Sequence, residues 1–364
     1  MDRHISSRQL MSLCFVAMLS PFFRMIPGVA AQTAGHAAWV SAALSIIPAL
    51  ALSLILRQFL SGFPKGTGLG EAILRSLGPI GGRALLLVWC MWLLFHCSFL
   101  ACTGADRFIA TIYPNTAPQL FVGIMLLICT LAATEEIAPL ARASQVFRPL
   151  LLGVIILVMA FSLSDLELSF VLPIFRRDIG PLLSAVPLAA EAVSVVLVCA
   201  AFLSGSLKPE PMPGRRWPWL CGVTTLGVSV CLVTIGNLGA KQTAGEAYPF
   251  FILLRDLRLF TGVERVDALV VALWLLPDFL LISLELVILS DSLLRLLGAE
   301  NTPGARGKTL CFCLLVTALI SFTIAPQKDA LHRWSNGFVP YIQLTWAYGV
   351  CPAVLLLSAI RKKF

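Results

Sequence analysis

The sequence is poor in charged residues, which make up 13% of its 364 positions. A soluble globular domain carries about 25%. Hydrophobic residues account for 58% of the chain, and the mean hydropathy is +0.89. This composition excludes a soluble globular protein and predicts a polytopic membrane protein with little room outside its spans. The net charge of +8 comes from basic residues scattered among short loops, which indicates membrane topology rather than nucleic-acid binding.

Metal ligands and catalytic motifs are also scarce. The four histidines lie far apart, and the eleven cysteines include no Cys-x-x-Cys pair and lie mostly in apolar runs. We interpret the cysteines as small apolar core residues, and we expect neither a metal nor another cofactor. The chain has neither a phosphate-binding loop nor a recognisable nucleophile–base spacing. The sequence therefore predicts no enzyme activity.

Long apolar runs predict an all-α membrane protein with about ten transmembrane helices. The predicted spans are 10–30, 37–59, 83–105, 119–137, 147–164, 181–204, 217–239, 267–294, 308–325 and 338–360. An even number of spans places both termini on one side. More of the lysines and arginines fall on that side, so both termini are predicted to be cytoplasmic.

Prolines occur in the first span of each predicted half of the chain. Pro21 and Pro27 lie in the first span, and Pro181 and Pro187 lie in the sixth. Interrupted helices at matching positions of two halves are typical of a transporter-type binding site. The alternative is that these prolines only kink their helices, which is common in membranes. We expect one transmembrane domain built from two repeats, about 10–164 and 181–360, with helices 1 and 6 broken.

Glu191 is the most informative candidate for a binding residue. It lies inside the apolar sixth span, where a lone carboxylate costs roughly 2.5–3.5 kcal/mol on insertion scales. A membrane protein keeps such a group where it pairs with a cation, lines a wet cavity or binds a ligand, although a structural hydrogen bond to another helix is the alternative. The predicted ligand site comprises Glu191, Arg24, Pro27, Pro187 and Ala190.

Arg24 has three possible roles in this arrangement. It can pair directly with Glu191 across the two proline-containing helices, so that each charge offsets the burial of the other. It can instead hold a ligand carboxylate while Glu191 holds the ligand amine. The third alternative is that its side chain reaches the outer headgroups.

The eighth span carries further acidic residues. Asp278 follows Pro277 near the middle of the span and is the candidate cation- or proton-binding group. Glu285 lies about two turns further along the same face. We expect Glu285, and the pair formed by Asp291 and Arg295, to be interfacial charges near the cytoplasmic end.

Several segments resemble spore germination receptor B subunits, which belong to the amino acid–polyamine–organocation superfamily. The segments are ISSRQL at 5–10, AGHAAWVS at 34–41, PLAAE at 187–191, YPFFILLR at 248–255 and GVERVDAL at 262–269, continuing to Trp274. The length and the span layout are also similar to those of this family. The resemblance implies a LeuT-like fold with a 5+5 inverted repeat.

The resemblance also implies a role. Family members sense a small germinant, often an amino acid, in the inner membrane of the spore, beside an A subunit and a lipoprotein C subunit. Ala189 and Ala190 stand where the family usually has glycines, and no glycine occupies 20–24 in the first span. The sequence therefore predicts a ligand-sensing subunit surrounded by lipid, with a second hypothesis of an amino acid or amine transporter coupled to H⁺ or Na⁺. A scaffold that binds nothing is the third.

Overall fold

The chain folds into a bundle of helices, as seen in a computed structural model that describes residues 4–111, 116–208, 216–256 and 266–361. The described α-helices are α1 (Ser7–Ala34), α2 (Ala38–Leu44), α3 (Ile46–Ser61), α4 (Leu69–Thr111), α5 (Pro118–Thr134), α6 (Ile137–Ser162), α7 (Ile179–Phe202), α8 (Arg216–Leu238), α9 (Ala240–Gly245), α10 (Pro249–Asp256), α11 (Val266–Leu273), α12 (Leu275–Leu297), α13 (Pro303–Ile324), α14 (Lys328–Asn336), α15 (Phe338–Leu344) and α16 (Cys351–Arg361). These elements follow the order of the predicted spans.

Eight stretches of the described chain are long and apolar enough to cross a membrane. They are 26–61, 69–110, 137–162, 176–206, 217–238, 270–297, 303–324 and 328–360. Helix α5 is a shorter apolar helix, and the N-terminal part of α1 adds further apolar length. Leu120, Ile124 and Leu131 of α5 are exposed, as expected of a helix that contacts lipid. The chain is an integral membrane protein.

Helix α1 begins at a well-defined cap. The Ser6 hydroxyl accepts from the backbone N–H of Gln9, and the Gln9 side chain accepts from the N–H of Ser6, which forms a capping box. Ile5 then makes a parallel bridge to Leu207, just beyond α7. Because this bridge ties the start of α1 to the end of α7, the two helices run antiparallel along each other. We call the end where α1 begins the proximal end of the bundle, and the other end the distal end.

Helices α1 and α7 pass through their prolines without interruption. Residues 7–34 and 179–202 are helical throughout, with Pro21 and Pro27 inside α1 and Pro187 inside α7. The predicted breaks in helices 1 and 6 are therefore not present in the backbone. Proline removes one hydrogen bond from the helical ladder, and a membrane helix tolerates that loss when neighbouring helices cover the freed group.

Irregular backbone occurs elsewhere in the bundle. Helix α4 is kinked at Gly78, whose φ of 76° and ψ of −177° are accessible to glycine, and Pro79 follows it. The segment that precedes the kink begins at Leu69. In the tenth span, a π-helical turn over Thr345–Val350 joins α15 to α16. Such turns often mark functional positions in helices.

Candidate functional site

Glu191 lies on the buried face of α7. Its side chain is 1% exposed, and Ala189, Ala190 and Ala192 around it are at most 1% exposed. One turn further on, the Ser194 hydroxyl lies 2.9 Å from the Tyr348 hydroxyl in the π-helical turn. Glu191 is therefore flanked along α7 by small buried residues, one turn before the contact of α7 with the tenth span.

Two contacts between α1 and α7 bracket Glu191. Cys14 lies 3.8 Å from the carbonyl oxygen of Val196, and Val29 packs with Leu188 and with Leu344 of α15. The stretch of α7 that contains Glu191 therefore faces the part of α1 between Cys14 and Val29. The backbone of Arg24 belongs to that part of α1.

The other predicted ligand-site residues occupy different environments. The side chain of Arg24 lies outside the described part of the structure, so its pairing with Glu191 stays a prediction. Pro27 and Ala190 are buried, whereas Pro187 is exposed on the surface of α7. The ring of Pro187 therefore lies off the buried face that Glu191 and Ala190 share.

Asp278, the candidate cation or proton site, is buried at the start of α12, and its carboxylate pairs with a cationic side chain. One carboxylate oxygen accepts from the Ser20 hydroxyl of α1, and the other accepts from the guanidinium of Arg107 in α4. The side chains of Arg107 and Asp278 are each 2% exposed. Gly104, one turn before Arg107, makes room for this contact, because a Cβ there would lie 3.1 Å from the Asp278 carboxylate. The pair joins three helices through one neutral cluster.

Aromatic rings cover this ion pair towards the distal end. Phe23 lies 4.5 Å from Phe250 and 4.7 Å from Trp274, measured between ring centroids. The guanidinium carbon of Arg107 lies 5.1 Å from the centre of the Phe251 ring, a distance typical of a cation–π contact. Phe23, Phe250 and Trp274 are at most 1% exposed. The aromatic cluster of Phe23, Phe250, Phe251 and Trp274 therefore closes the distal side of the bundle above Asp278.

Glu285 is not an interfacial charge, contrary to our expectation from sequence. It is 1% exposed, and its carboxylate oxygens lie 2.8 and 2.9 Å from Nδ1 of His96 in α4. Nε2 of His96 lies 2.6 Å from the side-chain nitrogen of Gln343 in α15. The residue is buried because α4 and α15 provide polar partners inside the bundle, which the spacing of acidic residues along the eighth span could not indicate.

A polar cavity of about 430 Å³ lies at the proximal end. Asp291 lines it and accepts at 3.1 Å from Arg306 of α13, rather than pairing with Arg295 of its own helix. Arg295 instead lies 3.3 Å from Glu71 at the start of α4. The predicted Asp291–Arg295 pair is thus replaced by two links between different helices, because tertiary packing brings closer partners to both residues.

Sequence reasoning missed four polar residues of these clusters: Arg107, His96, Gln343 and Arg306. A signal for His96 was present, because an ionisable residue inside an apolar span is a functional candidate by default. Arg107 lies just beyond the predicted end of the third span, but α4 continues to Thr111. Within the described ranges, no group of three or more His, Cys, Asp or Glu side chains is placed to hold a metal ion.

Comparison with known structures shows the same fold at low sequence identity. MhsT in complex with L-phenylalanine is 12% identical, with a TM-score of 0.64, and the match covers 98% of this chain and 99% of that one. A manganese transporter variant from Eremococcus coleocola is 15% identical, with a TM-score of 0.50, and the match covers 95% of this chain and 78% of that one. The all-α, LeuT-like fold predicted from the resemblance is therefore confirmed.

Sequence comparison identifies relatives in spore-forming bacteria. Spore germination protein XB of Bacillus anthracis is 23% identical over 235 residues, which are 63% of each chain. YfkT of Bacillus subtilis (strain 168), whose name assigns it provisionally to spore germination, is 24% identical over 210 residues, which are 56% of each chain. The match thus spans less than two thirds of either relative. The sequence model of the family described as "Spore germination protein" matches residues 4–330. The chain therefore belongs to the spore germination protein family.

Proposed function

We propose that this chain is the ligand-sensing membrane subunit of a spore germinant receptor, and that it binds a small solute in mid-membrane between α1 and α7. The observation that carries this proposal is the burial of Glu191, at 1% exposure, on the face of α7 that packs against α1. A carboxylate in that position is costly unless it serves a polar partner or a ligand. Membership of the family supplies the biological setting.

The chemistry of the site favours a small solute that carries an amine. The Glu191 carboxylate would accept hydrogen bonds from an ammonium group. The neighbouring side chains of Ala189 and Ala190 are small and apolar. Arg24 would hold a carboxylate at the other end of the same molecule, with the buried Pro27 beside it on α1. An amino acid or a similar zwitterion satisfies both charges.

Sensing requires two arrangements of the bundle that differ in affinity for the solute. A ligand shifts such an equilibrium only by the difference in its affinity for the two states. The π-helical turn beside Ser194 is the element best placed to respond, because Tyr348 contacts the α7 turn that follows Glu191. An A subunit and a lipoprotein C subunit of the receptor, at the inner membrane of the spore, would read the change. Both termini would face the cytoplasm, and the chain would catalyse no reaction.

A secondary transporter of an amino acid or amine, driven by H⁺ or Na⁺, is the second candidate. It is favoured by one observation, the asymmetry between the two ends of the bundle. The distal side is closed by the aromatic cluster, whereas the proximal side holds the polar cavity of about 430 Å³. Alternating access requires a state closed at one end and open at the other.

A germination assay with spores of the source organism distinguishes a receptor from a scaffold that binds nothing. We would replace the chromosomal copy with a Glu191→Gln variant and follow germination in a panel of amino acids and amines. The matched control is Glu167→Gln, because Glu167 is an exposed glutamate. We expect the Glu191 variant to lose the response to at least one germinant at an unchanged protein level, while the control responds normally. Normal germination of the Glu191 variant in every compound would contradict the proposal.

A further inference from the structure

Glu285, His96 and Gln343 form a buried polar triad on three different helices, separate from Glu191. The side chains of His96 and Glu285 are 2% and 1% exposed, and Gln343 is 6% exposed. The carboxylate lies 2.8 Å from Nδ1 of the imidazole, and the amide nitrogen of Gln343 lies 2.6 Å from its Nε2. The two ring nitrogens of His96 thus face opposite polar partners.

The arrangement corresponds to a neutral imidazole. Nδ1 carries the proton and donates a hydrogen bond to Glu285, and Nε2 accepts a hydrogen bond from the Gln343 amide N–H. In this state the triad has a net charge of −1, contributed by the carboxylate. A buried charge without a compensating partner is costly in an apolar interior. Protonation of His96 would therefore bring the net charge of the triad to zero.

Gln343 can serve the protonated state as well. Its side-chain oxygen has no hydrogen-bond partner among the described residues. If the side-chain amide rotates by about 180°, this oxygen faces Nε2 and accepts a hydrogen bond from the N–H of an imidazolium. The same three side chains then hold an imidazolium and a carboxylate with a net charge of zero. Each protonation state of His96 thus has a complete set of hydrogen bonds to the ring.

We propose that His96, Glu285 and Gln343 form a proton-binding site, in which a proton taken up at Nε2 of His96 reverses the Gln343 amide. The new N–H bond forms as an O–H bond of a hydronium ion breaks, which leaves a water molecule. The source of the proton is the proximal cavity, whose wall includes Val287, Ile288 and Asp291, further along α12 from Glu285. Asp291 lies about 9 Å along the helix from Glu285, at 1.5 Å per residue.

The site is connected to the irregular part of the tenth span. Gln343 is the second-last residue of α15, and the π-helical turn begins at Thr345. Trp346 of that turn lines the same small cavity as His96 and Glu285. Reversal of the Gln343 amide therefore acts directly on the segment that also carries Tyr348, the partner of Ser194.

The other groups that face the triad do not supply a competing charge. Cys97 of α4 lies 3.5 Å from the Glu285 carboxylate, and Cys199 of α7 lines the same cavity. Cys129 and Cys313 lie behind Cys97, and the indole rings of Trp89 and Trp92 complete the wall. Asp278, two turns away on α12, is neutralised by Arg107. Within the described chain, no lysine or arginine forms an ion pair with Glu285.

Nitrogen NMR of the histidine rings tests the site directly. The full chain, labelled with ¹⁵N in its imidazoles and placed in lipid nanodiscs, carries only four histidines. Replacing His4, His36 and His332 with glutamine leaves His96 alone; all three are exposed or half-buried. We expect one ring N–H for His96 in alkaline solution. A second should appear reversibly when the sample is acidified.

Two glutamine variants test the role of the amide. Gln343→Leu removes the only proposed acceptor for the second proton, so the second N–H of His96 should be lost. Gln327→Leu is the matched control, since Gln327 is exposed, and it should leave the spectrum of His96 unchanged.

A single N–H on His96 in alkaline and acidified samples alike, in protein whose other signals show it to be folded, would overturn the proposal. A second N–H that persists in Gln343→Leu would overturn the assigned role of Gln343. The inference does not rest on the proposed function, because the readout requires neither germinant nor partner subunits.

Discussion

The buried pair formed by Arg107 and Asp278 gives the sharpest test of the packing described above. Both side chains are 2% exposed, and Ser20 donates to the carboxylate as well. We would compare Asp278→Asn, Arg107→Met and the double variant with the parent protein. Asparagine keeps an acceptor for Ser20 but removes the negative charge opposite Arg107.

The expected magnitudes follow from burial. Removing one partner of a buried ion pair leaves an uncompensated charge, which costs about 3–5 kcal/mol of unfolding free energy. Removing both charges avoids that cost, so the double variant should lose less than the sum of the single variants. The coupling between the two sites should be about 2–3 kcal/mol, within the range measured for residues in direct contact.

Unfolding by a denaturing detergent, followed by circular dichroism of the purified protein in mild micelles, measures these differences. The double variant should be more stable than Arg107→Met, because it no longer buries an unpaired carboxylate. Single-variant losses below about 1 kcal/mol, or strictly additive losses, would show that the pair is hydrated and that the bundle is not closed around it.

Three further predictions concern the same network. Sodium chloride, compared with choline chloride, should not change the melting temperature of the parent protein, because Arg107 already neutralises Asp278; a selective rise with sodium would contradict this. Gly104→Leu should lower the free energy of unfolding by about 1–3 kcal/mol in the detergent titration, because even its Cβ would meet the Asp278 carboxylate. The control is Gly153→Ala, which lies in open space and should be neutral or stabilising. Arg306→Met should lower the melting temperature, equivalent to about 1–3 kcal/mol, because it removes the donors to Ala133 and Asp291; unchanged melting would mean that the proximal links contribute nothing.

The architecture was predictable because apolar runs of membrane length leave few alternatives. The order of the spans, the all-α class and the LeuT-like fold all followed from those runs and from the resemblance. The predicted breaks in helices 1 and 6 are absent from the described backbone. A proline removes one backbone hydrogen bond without ending a helix that neighbouring helices support. The π-helical turn at Thr345–Val350 has no comparable signature in the sequence.

The polar clusters were only partly predictable, since pairing across helices depends on tertiary packing. The burial of Glu191 and Asp278 was expected from their positions in the spans. Their neighbours come from distant parts of the chain, as with Arg107 and Asp278, or His96 and Gln343. The i, i+4 rule suggested Arg295 as the partner of Asp291, but α13 brings Arg306 closer. The division into repeats at 10–164 and 181–360 stays a prediction.

Binding and uptake by the purified protein in liposomes test the central claim, that the chain senses a small solute through Glu191. Radiolabelled amino acids and amines would be presented with and without proton and sodium gradients, to the parent protein, to Glu191→Gln and to the Glu167→Gln control. The account predicts saturable binding that only Glu191→Gln abolishes, with no gradient-driven accumulation. Solute accumulation driven by either ion gradient would make the chain a transporter. Binding that survives Glu191→Gln would contradict the proposed site.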